Sequence, residues 1–184
     1  MSDLHDATFG ANQQRLVKKI QQTKPDTIVI TGDIIDSNRY NLQNSLDLID
    51  QIVKIADVYY VTGNHEVATN DVDRIKEELT DRGVRVLSNE TLKLERAGEA
   101  ISLTGIEDPL MGEVASQMIA DSRVPSDAFT VLLAHRPEDF QAYVDAGIDV
   151  TFSGHAHGGQ FRIPGMGGLV APGQGYFPKY SAGI

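Results

Sequence analysis

The chain has 184 residues, no cysteine, and a net charge of −10. That length fits one domain with a real core, and the missing thiols exclude disulfides and thiolate metal sites alike. An acidic surface repels polyphosphate backbones at long range, which argues against general nucleic-acid binding. No apolar run approaches the roughly 20 residues that span a bilayer. Residues 1–10 carry Asp3 and Asp6 without a basic stretch, unlike a signal peptide.

In chain order, short apolar runs alternate with amphipathic stretches. Leu16, Val17 and Ile20 form a first helical stripe. The β-branched run 27–31 follows Pro25-Asp26 and stops at Gly32. Leu42, Leu46, Ile49 and Val53 predict a second helix, and the run 58–61, stopped by Gly63, a second strand. Val72, Ile75 and Leu79 predict a third helix with Gly83 at its C-terminus. Further runs lie at 84–87, 101–106, 131–134 and 150–152. Pro137 opens a helix carrying Phe140, Tyr143 and Val144, which ends at Gly147. The runs are continuous rather than alternating, which suits strands covered on both faces, so the chain reads as α/β. The stretch 158–183 is rich in Gly and Pro, with Phe161, Tyr176, Phe177 and Tyr180 interleaved. It reads either as a surface loop with aromatic anchors or as a rim over the active site.

Polar residues competent to bind metal gather where the strand-like runs end. They are Asp3-Leu4-His5, Gly32-Asp33-Ile34-Ile35-Asp36, Gly63-Asn64-His65-Glu66, His135 and Gly154-His155-Ala156-His157. All five histidines of the chain fall in these motifs. Ligands at the carboxyl ends of strands in an α/β sheet converge on one crevice. Two histidines separated by one residue project to the same side of an extended segment. Each motif alone has a bland reading as a turn or a local hydrogen bond; the set does not.

These motifs, in this order, resemble the calcineurin-like metallophosphoesterase family, and the resemblance runs from Asp3 to Tyr180. The tail from Gly158-Gly159-Gln160-Phe161 to Tyr180 is similar to a bacterial branch that includes membrane-anchored and exported enzymes. The resemblance implies two mixed β-sheets flanked by helices in a single domain, 1–184. Compared with that family, the domain is expected to lack a first strand and the C-terminal strands. It implies that Asp3, His5 and His157 bind one divalent ion, that Asn64, His135 and His155 bind another, and that Asp33 bridges the two. His65 is then the general acid, with Asp36 holding its imidazole. Glu66 receives no role, and Arg39 reads as a surface residue.

A ligand set of nitrogen and oxygen suits Mn²⁺, Fe or Zn²⁺ and disfavours Ca²⁺, with a manganese pair favoured. The implied reaction is hydrolysis of a small or lipid-linked phosphodiester by a hydroxide bridging the metals. A phosphomonoesterase, a pyrophosphate hydrolase of a lipid-linked nucleotide sugar, a nuclease and an inactive scaffold stand as alternatives. The parent protein is expected to be associated with a bacterial membrane or exported.

Overall fold

The computed structural model describes residues 1–125, 127–165 and 167–181. Two sheets face each other, and helices cover both outer faces. The first sheet is all parallel: β1 (Thr27–Thr31), β2 (Asp57–Val61) and β3 (Arg85–Val86), in that order. Helices α1 (Gln14–Thr23), α2 (Leu42–Ile52) and α4 (Val72–Asp81) lie on its outer side, while the short α3 (Asn64–Ala68) follows β2 directly. The second sheet holds β4 (Glu90–Arg96), β5 (Glu99–Gly105), β6 (Thr130–Leu133) and β7 (Val150–Phe152). Only the β4–β5 pair in it is antiparallel. Helices α5 (Ala115–Asp121) and α6 (Phe140–Asp145) cover this sheet.

Strand alternation builds three apolar layers. On β1 and β2, Ile28, Ile30, Val58 and Tyr60 point to the helices. Their neighbours Val29, Tyr59 and Val61 point the other way, to meet Leu103, Val131 and Leu133 of the second sheet. Leu132 and Ala134 then face α5 and α6, where Met118, Ile119 and Tyr143 wait. Strands β1, β2 and β6 are covered on both faces, so their central residues are apolar without alternation.

The strand readings at 27–31, 58–61, 84–87, 101–106, 131–134 and 150–152 all match strands or their flanks, and the four helical stripes match α1, α2, α4 and α6. Strand β4 has little sequence signal, because it is an edge strand of alternating pattern in which only Leu92 and Leu94 face the inter-sheet layer. It joins β5 through a two-residue turn, Ala97-Gly98, with both residues at positive φ. Ala is an unusual choice there, so the turn carries a weak sequence signal. In α6 only Tyr143 is buried; Phe140 and Val144 stay exposed. The tail forms two small hairpins, β8 (Arg162–Ile163) with β9 (Gly167–Gly168) and β10 (Val170–Ala171) with β11 (Gly175–Tyr176). Of the stretch 158–183, residues 166, 182 and 183 lie outside the described residues. Among the described residues, no helix is long and apolar enough to cross a membrane.

Register decides where the chemistry goes. Thr31 pairs with Val61, and Leu133 pairs with both Gly105 and Phe152, so the parallel strands end together. Residues 1–3 run alongside β1: Met1 N–H donates to Val29 O at 2.8 Å, and Thr31 N–H to Met1 O at 3.0 Å. Every motif is thereby delivered to one end of the sandwich.

The inter-sheet layer holds that end in place. Leu103→Ala should lower the unfolding free energy by about 2–5 kcal/mol in urea denaturation. Ile101→Ala, on the same strand but 37% exposed, should cost under about 1 kcal/mol. Equal effects would show that the sheets do not share a packed layer.

Candidate metal centre

The loops leaving β1 and the N-terminal segment are laced together. Asp3 N–H donates to Gly32 O at 3.2 Å, His5 N–H to Asp33 O at 3.0 Å, and Asp6 N–H to Ile34 O at 3.0 Å. The apolar residues inside the motifs act as anchors: Leu4, Ile34 and Ile35 are buried in the helix-side core. The polar residues between them are thereby forced towards the open end. Asp3, His5, Asp33, His155 and His157 all sit at positive φ, a costly backbone state for non-glycine residues. Such strain persists only where surrounding contacts over-determine it, and it clusters at functional sites.

Two groups of side chains result. Asp3, His5, Asp33 and His157 each offer an atom within 4.8 Å of the others, and so do Asp33, His135 and His155. In the first group, His5 Nε2 and His157 Nε2 approach to 3.2 Å, and His157 Nε2 lies 3.5 Å from Asp3 Oδ1. In the second, His135 Nε2 lies 3.1 Å from both Asn64 Oδ1 and His155 Nδ1. One atom is common to both: Asp33 Oδ2, 3.2 Å from His135 Nε2 and 4.0 Å from His5 Nε2.

Electrostatics prepares these donors. His135 Nδ1 meets Thr31 O at 2.7 Å, which puts a proton on Nδ1 and turns Nε2 towards the centre. Burial favours neutral His135, but Asp33 beside it wins and pushes the imidazole up to about 9. Burial alone would raise Asp33; the hydrogen bond and charge of His135 hold it below the usual carboxylate range. Burial, with the cations of His135 and Arg136, pushes His155 down to about 4, so that ring is neutral.

The segment 155–159 does not run extended. His155 and His157 are left-handed, with Ala156 in helical geometry between them, and residues 157–159 form a 3₁₀ turn. The two imidazoles therefore enter different groups rather than pointing to one side.

His65 borders the first group, its ring 4.5 Å from that of His5 in an edge-on arrangement. Asp36 Oδ1 lies 3.6 Å from His65 Nδ1, outside hydrogen-bond range. Ser37 supplies the direct contact: its N–H donates to Nδ1 at 3.0 Å. The Asp36 carboxylate accepts from Asn38 N–H at 2.9 Å instead. Asp6 steadies this loop by accepting from Asp36 N–H at 3.0 Å and Asn41 N–H at 2.9 Å.

Glu66 shows what an extended reading of its segment misses. Residues 64–68 are helical, so Glu66 turns inward, fully buried. Its carboxylate accepts from Gly63 N–H at 2.7 Å, Ile34 N–H at 2.8 Å, Asp33 N–H at 2.9 Å and Ile35 N–H at 3.3 Å. Burial and the Asp33 charge push this carboxyl up to about 7, and the backbone donors pull against them. The signal was a Glu three residues after Gly63 at a helix start, the spacing of a capping box. Close approach also explains two motif glycines. A Cβ on Gly63 would collide with Asp33, and one on Gly32, at φ +85°, with Gly63 backbone.

The calcineurin-like phosphoesterase family (Metallophos) matches residues 1–159. The chain belongs to this family. As a member it is classed with the metal-dependent phosphoesterases. The chain is 31% identical over 173 residues to a transmembrane protein with metallophosphoesterase domain from Danio rerio, covering 87% of this chain and 40% of that protein. It is 27% identical over 190 residues to phosphodiesterase YaeI of Escherichia coli, covering 100% of this chain and 68% of that protein. The curated relatives it matches are thus substantially longer than this chain. Among solved structures, phosphopantetheinyl hydrolase PptH from Mycobacterium tuberculosis shares the fold, with a TM-score of 0.60 at 13% identity. That match covers 84% of this chain and 80% of the other.

Removing the Glu66 carboxylate strands buried donors on two loops. Glu66→Ala should cost about 3 kcal/mol or more in urea denaturation, since each unsatisfied buried group costs about 1–3 kcal/mol. A loss below about 1 kcal/mol would show that water replaces the carboxylate and that the pinning is dispensable.

Proposed function

We propose that this domain hydrolyses phosphodiesters with a pair of divalent metal ions. The observation that carries the reading is Asp33 Oδ2, which faces both histidine groups at once. Asp3, His5 and His157 would hold one ion, and Asn64, His135 and His155 the other, with Asp33 shared. The donor set fits: it is nitrogen and oxygen only, His155 is neutral, and Thr31 O holds the Nδ1 proton of His135, so a metal would displace only the Nε2 proton that faces Asp33. Mn²⁺ suits such ligands, with Fe and Zn²⁺ as alternatives. When bound, the ions would acidify a water molecule and draw charge from the phosphoryl oxygens.

The remaining work falls to the chain's own groups. A leaving alkoxide needs a proton, and His65, whose ring borders that of His5, is assigned the role. Its Nδ1 accepts from Ser37 N–H, so the ring's proton sits on Nε2. Asp36 Oδ1, 3.6 Å from that Nδ1, stands beside the ring without bonding to it. A diester rather than a monoester is supported by the relative named phosphodiesterase, which matches across the whole chain. Exposed aromatics in the tail support a substrate with an apolar organic part. Phe161, Tyr176 and Phe177 are each more than half exposed, in a segment whose β9 and β10 pack on the turn of His157.

Metal-loaded protein should cleave bis-p-nitrophenyl phosphate faster than the monoester, and the reverse order would favour a phosphomonoesterase. Asp33→Asn should lower the content of both metals together in elemental analysis; loss of a single ion would show that Asp33 is not shared. His65→Ala should slow esters with poor leaving groups by about 10²–10⁴-fold and activated aryl esters far less. Equal losses on both classes would remove His65 from the acid role.

A further inference from the structure

The imidazole of His155 is approached on its outer side by a small charged array. Arg136 follows His135 directly and is locked by the fully buried Asp108: its Nε donates at 2.6 Å and its Nη2 at 3.0 Å to the two carboxylate oxygens. Tyr143 Oη donates to Arg136 O, fixing the backbone as well. Arg136 Nη1 then lies 3.4 Å from His155 Nε2 and 3.5 Å from Glu138 Oε1. Glu138 Oε1 itself lies 3.6 Å from His155 Nε2. The second oxygen, Glu138 Oε2, is buried with no hydrogen-bond partner among the described residues. The turn at Gly173, at φ +71°, closes over this carboxylate so tightly that a Cβ there would collide with it.

Glu138 is half-buried, and a carboxylate oxygen withdrawn from water needs a facing donor. Among the described residues, Arg136 and the outer edge of His155 face it. The proton of His155 decides between two arrangements. With the proton on Nδ1, Nε2 is a lone pair and takes an N–H from Arg136, but then Nδ1 cannot ligate. With Nδ1 given to a metal, the proton must sit on Nε2, where Arg136 offers only another donor and Glu138 offers the acceptor. Resting on the two-metal reading, we infer that Glu138 is a positioning residue for His155: its carboxylate accepts a hydrogen bond from Nε2–H and holds Nδ1 towards the second ion. The present 3.6 Å lies just outside hydrogen-bond range, and the terminal torsion of a glutamate is soft. Arg136, tethered to Asp108, faces this carboxylate with an opposite charge and holds it in place. Carboxylates in this relation to a ligating histidine fix its tautomer and orientation, and their loss weakens metal binding by about 10–100-fold.

The test measures metal binding in the whole chain, by titration calorimetry and chelator competition with Mn²⁺, and by the visible spectrum of the Co²⁺-loaded protein. Glu138→Ala should weaken one of the two binding steps by about 10–100-fold and shift the Co²⁺ spectrum of that site. The other step and the melting temperature of the metal-free protein should stay where they were. Glu138→Gln, whose amide oxygen still accepts, should restore most of the affinity. Two binding steps unchanged in Glu138→Ala, or both weakened together with a fall in metal-free melting temperature, would overturn the inference alone. A wild-type chain that binds no second ion would remove the two-metal reading and this inference with it.

Discussion

The carboxylate of Glu66 ties together the two loops on which the centre stands. It is held by its own helix, takes Gly63 N–H at the start of that helix, and reaches three consecutive N–H groups after β1. Those three residues are Asp33, Ile34 and Ile35, and Asp33 is in a left-handed state that a chain would not choose unaided. Once the loop is pinned, Asp33 Oδ1 accepts from His65 N–H at 2.8 Å, and Oδ2 is left facing the two histidine groups. The acid that no metal touches thus places the acid that would bridge two.

Strain and packing are two sides of one design here. Left-handed geometry costs a non-glycine residue roughly 1–3 kcal/mol, and five motif residues carry it. What offsets this lies within the same motifs. Leu4 between Asp3 and His5, and Ile34 and Ile35 after Asp33, are buried in the core beneath. A loop whose alternate residues are apolar anchors and polar ligands cannot relax one without lifting the other out of the core. This is why the centre can be rigid although it is made of loops. It needs strands that end at one level beneath it, which the shared register of β1, β2, β6 and β7 supplies.

The sequence displayed the site better than the surrounding architecture. Strands buried on both faces announce themselves as apolar runs, and the histidines could be found because all five lie just beyond such runs or at the chain's start. Three features were hidden, each for a physical reason. Edge strand β4 carries its charges outward and only two leucines inward, so it resembles a loop. The inward turn of Glu66 depends on a helix only five residues long, too short to show periodicity. The Ser37 contact to His65 is a backbone N–H, which any residue could supply, so no side chain advertises it. The split of His155 and His157 between two groups was implied by family resemblance, yet the local geometry that achieves it, two left-handed residues around a helical one, contradicts the extended spacing argument.

The charge balance of the proposed centre explains how an acidic chain can serve an anionic substrate. Of the proposed ligands, only Asp3 and Asp33 are carboxylates; the rest are an amide and imidazoles, which add no negative charge. Two divalent ions in such a set would be half neutralised, leaving a local surplus of positive charge. Surface carboxylates repel over a Debye length of about 8–10 Å, whereas a phosphodiester at the centre would lie within contact distance of the metals. A small diester carries one negative charge and feels the centre most strongly once it arrives. A long polyanion must also lay its flanking phosphates across a surface with a net charge of −10, and each added phosphate makes that worse. For the centre proposed above, the same net charge that disfavours nucleic acids would favour short substrates over long polyanions.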